Sequence, residues 1–254
     1  MQDLTVVLIQ PDLVWESPQA NLEQFDRLLD SVGDCDLVVL PEMFATGFSM
    51  NPQSVAVSMH SDTLGWMLNH SHRFALCGSL AIEEDGQYFN RFLFAHKGQI
   101  LARYDKRHLF AYAKEDQHYQ AGNQVSQIEF KGWSIAPFVC YDLRFPVWIR
   151  QTAGVDLMLF VANWPSKRQW AWNSLLTARA IENQCYVLAS NRVGVDGNGI
   201  DYQGDSQAIN MAGENLASLR GESGVIRVKL IKEELQAFRA QFPFLDDRDS
   251  FEGI

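Results

Sequence analysis

A series of short apolar runs, each cut off by charged or turn-forming residues, does most to limit how this chain folds. The runs cover residues 4–10, 36–40, 74–82, 134–139, 156–162, 186–190 and 225–230. Their shortness and their β-branched content read as buried strands rather than helices. Helical spacing falls between them: 21–29 behind Ser17-Pro18, 62–71, 146–152 with an early proline, 166–184 and 232–242. Hairpins are expected where 90–95 and 100–104 flank Lys97-Gly98, and where 127–130 and 134–139 flank Lys131-Gly132. A third is expected where 207–210 and 215–219 flank Ala212-Gly213-Glu214. Strand–helix–strand units imply parallel crossovers, and hairpins imply antiparallel pairs. The chain is therefore expected to be α/β, with two mixed β-sheets packed face to face and helices outside both, an αββα sandwich of four layers. No linker or repeat divides it, so residues 1–254 read as a single domain.

With 47% hydrophobic and 20% charged residues in 254, the chain can bury a large core, which excludes a disordered protein. A net charge of −10 argues against nucleic-acid or anionic-membrane binding. It also means that an anionic ligand needs a local arginine. No apolar run approaches a membrane span, and Met1-Gln2-Asp3-Leu4 lacks the features of a secretory leader. The four cysteines are widely spaced with no CxxC, which fits free thiols in a reducing cytoplasm better than disulfides or zinc. The six histidines show no paired metal spacing, and no phosphate-binding glycine loop occurs; Gly194, Gly197 and Gly199 read as a flexible loop. No cofactor or metal is expected.

Chemistry collects at the strand ends. Cys140 closes the run 135–139, and Phe145-Pro146 opens a helix just beyond. A lone cysteine is more often a packed small hydrophobe, as Cys35, Cys77 and Cys185 are expected to be. Cys140 differs because strand C-termini form ligand crevices, and a helix N-terminus lowers a thiol pKa. Lys106 follows the run ending at Tyr104, and its bland alternative is a solvated loop. Glu42 sits in Leu40-Pro41-Glu42-Met43-Phe44; its apolar flanks suggest burial, which would make it a usable base.

Taken together, Glu42 in LPEMF, Lys106 in YDKRHLF and Cys140 in VCYDLRFP resemble the Glu-Lys-Cys triad of the nitrilase superfamily, the carbon–nitrogen hydrolases. Val161-Ala162-Asn163-Trp164-Pro165, the stretch 178–184 and Gly204-Asp205-Ser206 are similar to further family segments. Glu115, in the Glu-x-x-x-Tyr-x-x-Gly pattern ending at Gly122, matches the family's additional active-site glutamate. CYDLRFPVW and YDKRHLF are most similar to the omega-amidase branch, whose members hydrolyse 2-oxoglutaramate and 2-oxosuccinamate. The resemblance implies a small amide substrate, a cysteine thioester, Glu42 as proton carrier, and Lys106 with the Tyr141 backbone N–H as oxyanion donors. Glu115 would hold Lys106 or the amide nitrogen in place.

Arg144 is then a candidate clamp for a substrate carboxylate, against a surface arginine as the alternative. Asn163 and Trp164 would line the same crevice, or simply form a tight turn before Pro165. Phe44 and Phe48 are candidate pocket walls. Another amidase or N-carbamoyl hydrolase of the superfamily, or a non-catalytic binding protein of the same fold, stays open. Family members are typically dimers or larger, so a homodimer is expected, and residues 145–149 and the helix 166–184 are apolar enough to form its interface or to be core.

Overall fold

The structure is a computed structural model that describes residues 2–150, 152 and 154–249. Its first five strands are β1 (Leu4–Gln10), β2 (Leu37–Val39), β3 (Ala75–Glu84), β4 (Gln87–His96) and β5 (Gln99–Asp105). The next four are β6 (Ile128–Phe130), β7 (Trp133–Val139), β8 (Leu157–Val161) and β9 (Tyr186–Ser190). The last four are β10 (Val193–Val195), β11 (Asp201–Ile209), β12 (Asn215–Arg220) and β13 (Gly224–Leu230). The α-helices are α1 (Pro18–Ser31), α2 (Pro52–Val55), α3 (Asp62–His70), α4 (Pro146–Arg150), α5 (Gln169–Asn183) and α6 (Lys232–Gln241). No helix among the described residues is long and apolar enough to cross a membrane.

One sheet runs β13-β1-β2-β3-β4-β5 and the other β10-β11-β9-β8-β7-β6, with β12 on β11. Each has a parallel centre, β1-β2-β3 and β7-β8-β9, and antiparallel edges. The alternation within β1 shows how the layers form. Leu4, Val6 and Leu8 join Phe138 and Phe160 in the core between the sheets. Val7 and Ile9 point the other way, onto Phe25 and Leu29 of α1 and Leu64 and Met67 of α3. On the far side Trp172, Leu176 and Ala180 of α5 pack on β9 and β11. Period-2 side chains between two buried faces thus give the expected αββα order.

The hairpins at Lys97-Gly98 and Lys131-Gly132 form as expected, with positive φ at both turn residues (53° and 74°; 50° and 78°). A third turn of this kind, Asp85-Gly86 (54° and 74°), joins β3 to β4. Residues 83–87 carry no strand signal in the sequence because the strand ends there are polar and run beyond the core. The short helix expected over 146–152 is α4, ending at Arg150; position 151 lies outside the described residues. The glycine-bearing stretch 194–199 is not a plain loop: it belongs to the β10–β11 hairpin. Asp196 organises the turn, its Oδ1 accepting from the Asn198 and Ile200 N–H groups at 2.8 and 3.0 Å, and its Oδ2 from the Tyr202 hydroxyl at 2.9 Å.

Candidate active site

Residues beyond the C-terminal ends of β2, β5, β7 and β8 meet at one end of the sandwich, the position where parallel sheets leave a crevice. At the end of β7 the backbone swings into a 3₁₀ turn, Cys140–Arg144, with Cys140 at φ +46°. That left-handed conformation is uncommon for a side chain with a Cβ and must be held in place, at a cost of roughly 1–3 kcal/mol. Asp142, fully buried, supplies the hold. Its Oδ2 accepts from the Val139 N–H at 3.0 Å and the Tyr104 hydroxyl at 2.8 Å; its Oδ1 accepts from the His108 N–H at 2.9 Å and lies 2.8 Å from His108 Nδ1. The Trp148 indole N–H donates to the same Tyr104 oxygen, and the His108 ring stacks on Phe145 at 3.6 Å. The turn that carries Cys140 is thereby tied to the segment that carries Lys106.

Burial pushes the Cys140 thiol well above its usual pKa, and the neighbouring Glu42 carboxylate adds to this more than Lys106 takes away. The sequence expectation of a thiol acidified by a helix N-terminus is corrected here. Cys140 opens a single 3₁₀ turn, and the dominant influences on its sulfur are desolvation and a carboxylate. The sulfur keeps its proton at neutral pH and lies 4.0 Å from the Asn163 carbonyl oxygen.

Lys106 is fully buried between two fully buried carboxylates. Its Nζ donates to Glu42 Oε1 at 2.8 Å and to both oxygens of Glu115 at 3.1 and 2.9 Å, and sits 4.9 Å from the Phe48 ring centre. Burial alone would lower the lysine's pKa, but Glu115 and Glu42 more than offset it and hold the ammonium charged. Burial raises Glu115's pKa against the pull of Lys106.

Further donors fix both carboxylates. Asn90 Nδ2 donates to Glu42 Oε1 at 2.8 Å and Glu115 Oε1 at 3.1 Å, and the Phe110 N–H donates to Glu115 Oε2 at 2.6 Å. The Asn163 N–H donates to Glu42 Oε2 at 2.8 Å, and its Nδ2 to the Glu42 carbonyl at 2.7 Å. Gly122 has a packing reason: a Cβ there would lie 2.1 Å from the Asp105 carbonyl oxygen, and its N–H donates to the Lys106 carbonyl at 3.0 Å.

A cavity of about 890 Å³ opens over this group, with Phe48, Cys140, Tyr141, Arg144, Asn163 and Trp164 in its wall. The structure brings together Glu42, Lys106, Glu115 and Cys140, with Tyr141, Arg144, Asn163, Trp164 and Phe48 around the opening. The Arg144 guanidinium lies over the Trp164 ring, 5.0 Å from its centre. Phe44 is a correction: it is core, against Phe25 under α1, and does not line the cavity. Asn90 and Asp142 belong to the site although the sequence pattern does not single them out. No cluster of three or more potential metal-ligating side chains occurs among the described residues.

A mixed two-sheet sandwich with a buried carboxylate, ammonium and thiol at its strand ends defines a class of C–N bond hydrolases, and comparison with known proteins agrees. The chain belongs to the carbon–nitrogen hydrolase family, whose sequence model matches residues 5–240. It is 44% identical to omega-amidase YafV of Escherichia coli (strain K12), over 99% of both chains. It is 32% identical to 2-oxoglutaramate amidase of Bacillus subtilis (strain 168), over 96% of both. Its fold superposes with a TM-score of 0.97, at 42% identity and full coverage of both chains, on the crystal structure of XC1258 from Xanthomonas campestris, a CN-hydrolase superfamily protein with an arsenic adduct in its active site.

Proposed function

We propose that the protein is an omega-amidase, hydrolysing the terminal amide of 2-oxo-dicarboxylate monoamides such as 2-oxoglutaramate and 2-oxosuccinamate to the 2-oxo acid and ammonia. The observation that carries this is the buried Lys106 ammonium clamped between Glu42 and Glu115 beside the Cys140 turn. The likeness to the E. coli omega-amidase and the B. subtilis 2-oxoglutaramate amidase supports the substrate class.

Amide carbon is a weak electrophile, so thiol attack needs a base and a stabilised oxyanion. Because the thiol is protonated at rest, Glu42 takes its proton as sulfur bonds to the carbonyl carbon. The tetrahedral oxyanion is met by the Lys106 ammonium and by the Tyr141 N–H, which lies in the first turn and lacks an intrahelical acceptor there. Glu42 returns the proton to nitrogen, the C–N bond breaks, ammonia leaves and a thioester remains. Water then attacks the thioester while Glu42 accepts its proton; collapse expels sulfur, which regains that proton, and the carboxylic acid departs. Glu115, bidentate to Lys106, keeps the ammonium aimed and charged. Asn163 orients Glu42 through its N–H, and Trp164 forms the platform under Arg144.

Arg144 binds the substrate carboxylate in this reading. Its side chain makes no hydrogen bond or ion pair among the described residues, so it is free to do so. Ammonia release from 2-oxoglutaramate tests the assignment directly, and its absence from the wild-type protein would sink it. Arg144→Ala is expected to raise KM for 2-oxoglutaramate about 10- to 100-fold, the worth of a charge-assisted pair, with much less effect on a neutral amide. Equal losses on both would defeat the clamp.

The same reading makes residues 1–254 one hydrolase domain, placed in the cytoplasm and assembled as a homodimer. Support for the dimer comes from Ile181 of α5 and Phe244, 52% and 63% exposed, which flank an apolar groove with Phe238 and Phe242. Light scattering that gave the mass of a single chain would count against it.

A further inference from the structure

The cavity holds a second guanidinium that the mechanism above does not use. Arg168 ends the 3₁₀ turn Ser166–Arg168 ahead of α5, and that turn is pinned by the Trp164 indole, whose N–H donates to the Arg168 carbonyl at 2.8 Å. Arg144 and Arg168 are thus presented by the same tryptophan, one over its ring and one through its indole nitrogen. The Arg168 guanidinium lies over Phe110, 4.9 Å from the ring centre. Phe110 belongs to the site: its N–H holds Glu115, and its ring packs on Tyr141 at 4.9 Å.

Among the described residues, Arg144 and Arg168 are the half-buried or buried arginines whose side chains make neither a hydrogen bond nor an ion pair. Both line the one cavity. The carboxylates lining it are differently placed. Asp196 spends both oxygens on its own turn and Tyr202. Glu16 accepts from the Ser49 hydroxyl, and Asp201 is exposed. An acidic protein has therefore kept two half-buried guanidiniums without an ion-pair partner in the cavity that its thiol also lines. Held over aromatic rings with their donors unspent, both are placed to take an anion in the cavity.

We propose that Arg168 is a second substrate-recognising residue: with Arg144 it selects amides whose far end is an anionic 2-oxo acid, and rejects the α-ammonium of amino-acid amides such as glutamine. The two substrates differ at one carbon. A 2-oxo acid presents a carboxylate and an adjacent carbonyl oxygen, all acceptors, to two sets of donors. An amino acid puts a cation where the second guanidinium stands, and like charges in a partly desolvated cavity repel. The inference rests on the omega-amidase reading and adds a determinant to it.

The test measures kcat and KM for 2-oxoglutaramate and for glutamine with wild type, Arg168→Met and Arg168→Lys. It also measures the rate at which neutral iodoacetamide alkylates Cys140. Arg168→Met, which keeps an apolar stem over Phe110, is expected to raise KM for 2-oxoglutaramate about tenfold while kcat changes little. The ratio of kcat/KM for the oxo acid over glutamine should fall by a similar factor, and the alkylation rate should stay that of wild type. Arg168→Lys should recover part of the discrimination through charge alone. An unchanged ratio, or a fall in alkylation that parallels the loss on 2-oxoglutaramate, would overturn the proposal; the second result would mean that the site itself had been distorted. If the wild-type protein released no ammonia from 2-oxoglutaramate, the amidase reading would fail instead, which separates the two failures.

Discussion

Cys140→Ala is expected to lower kcat for 2-oxoglutaramate by about 10⁶-fold, the scale on which loss of a covalent nucleophile registers, while leaving thermal stability close to that of wild type. The two halves of this expectation come from different observations. Sulfur is the one group placed to bond to the amide carbon, since Glu42 Oε1 and Oε2 are both engaged by donors. Stability should hold because the Sγ is small, only partly buried and lies 4.0 Å from the Asn163 carbonyl oxygen, and the turn around it is held by Asp142 rather than by the thiol. Alanine retains the Cβ and the same difficulty with a positive φ, so the backbone has no reason to relax. Ammonia assays on the purified variant, with melting curves alongside, check both halves. Residual activity above a hundredth of wild type would mean that another nucleophile is in use.

The fold was readable to the extent that its strands are buried on both faces. Runs such as 134–139 and 156–162 carry no polar face, so they can only be interior strands, and their ends proved to be the site. Reading failed where strands leave the core. In β10 and the start of β11 exposed and glycine positions alternate with a few buried ones, and the order there comes from Asp196 bonding to its own turn. No hydrophobic pattern records that.

The site was legible for residues whose side chains do chemistry and illegible for those that hold them. Asn90 did leave a signal, in that it occupies the face of β4 continued by Phe92 and Phe94, an amide on an otherwise apolar stripe. Ser79, whose hydroxyl donates to Asn90 Oδ1 at 2.8 Å, continues the Ala75 and Cys77 stripe of β3 in the same way. Polar groups on the inner face of a strand must find partners, and here the partners are Glu42 and Glu115. Asp142 left no such signal. Between Tyr141 and Arg144 it looks like an acidic residue near a helix start, and its partners Tyr104 and His108 are distant in sequence.

Lys106→Met is expected to be damaging in two separable ways. Methionine fills similar volume but removes the cation between Glu42 and Glu115, leaving two fully buried carboxylates to share Asn90. Breaking a buried ion pair from one side costs about 3–5 kcal/mol, which for a chain of this size lowers Tm by roughly 10 °C at about 2–4 °C per kcal/mol. Burial already raises Glu115's pKa against the pull of Lys106, so with the cation gone Glu115 is the carboxylate that takes up a proton. The donor alone is worth about 10²–10³ in kcat, so the single variant should fall by at least this much. The double variant Lys106→Met/Glu115→Gln removes the like-charge conflict, leaving Glu42 as the one buried carboxylate of the three groups. It should recover most of the lost Tm, yet stay about 10²–10³ below wild type in kcat. Recovery of full activity in the double variant would show that Lys106 is only a counter-ion for two carboxylates, and failure to recover stability would show that its packing against Phe48, not its charge, is what the fold needs.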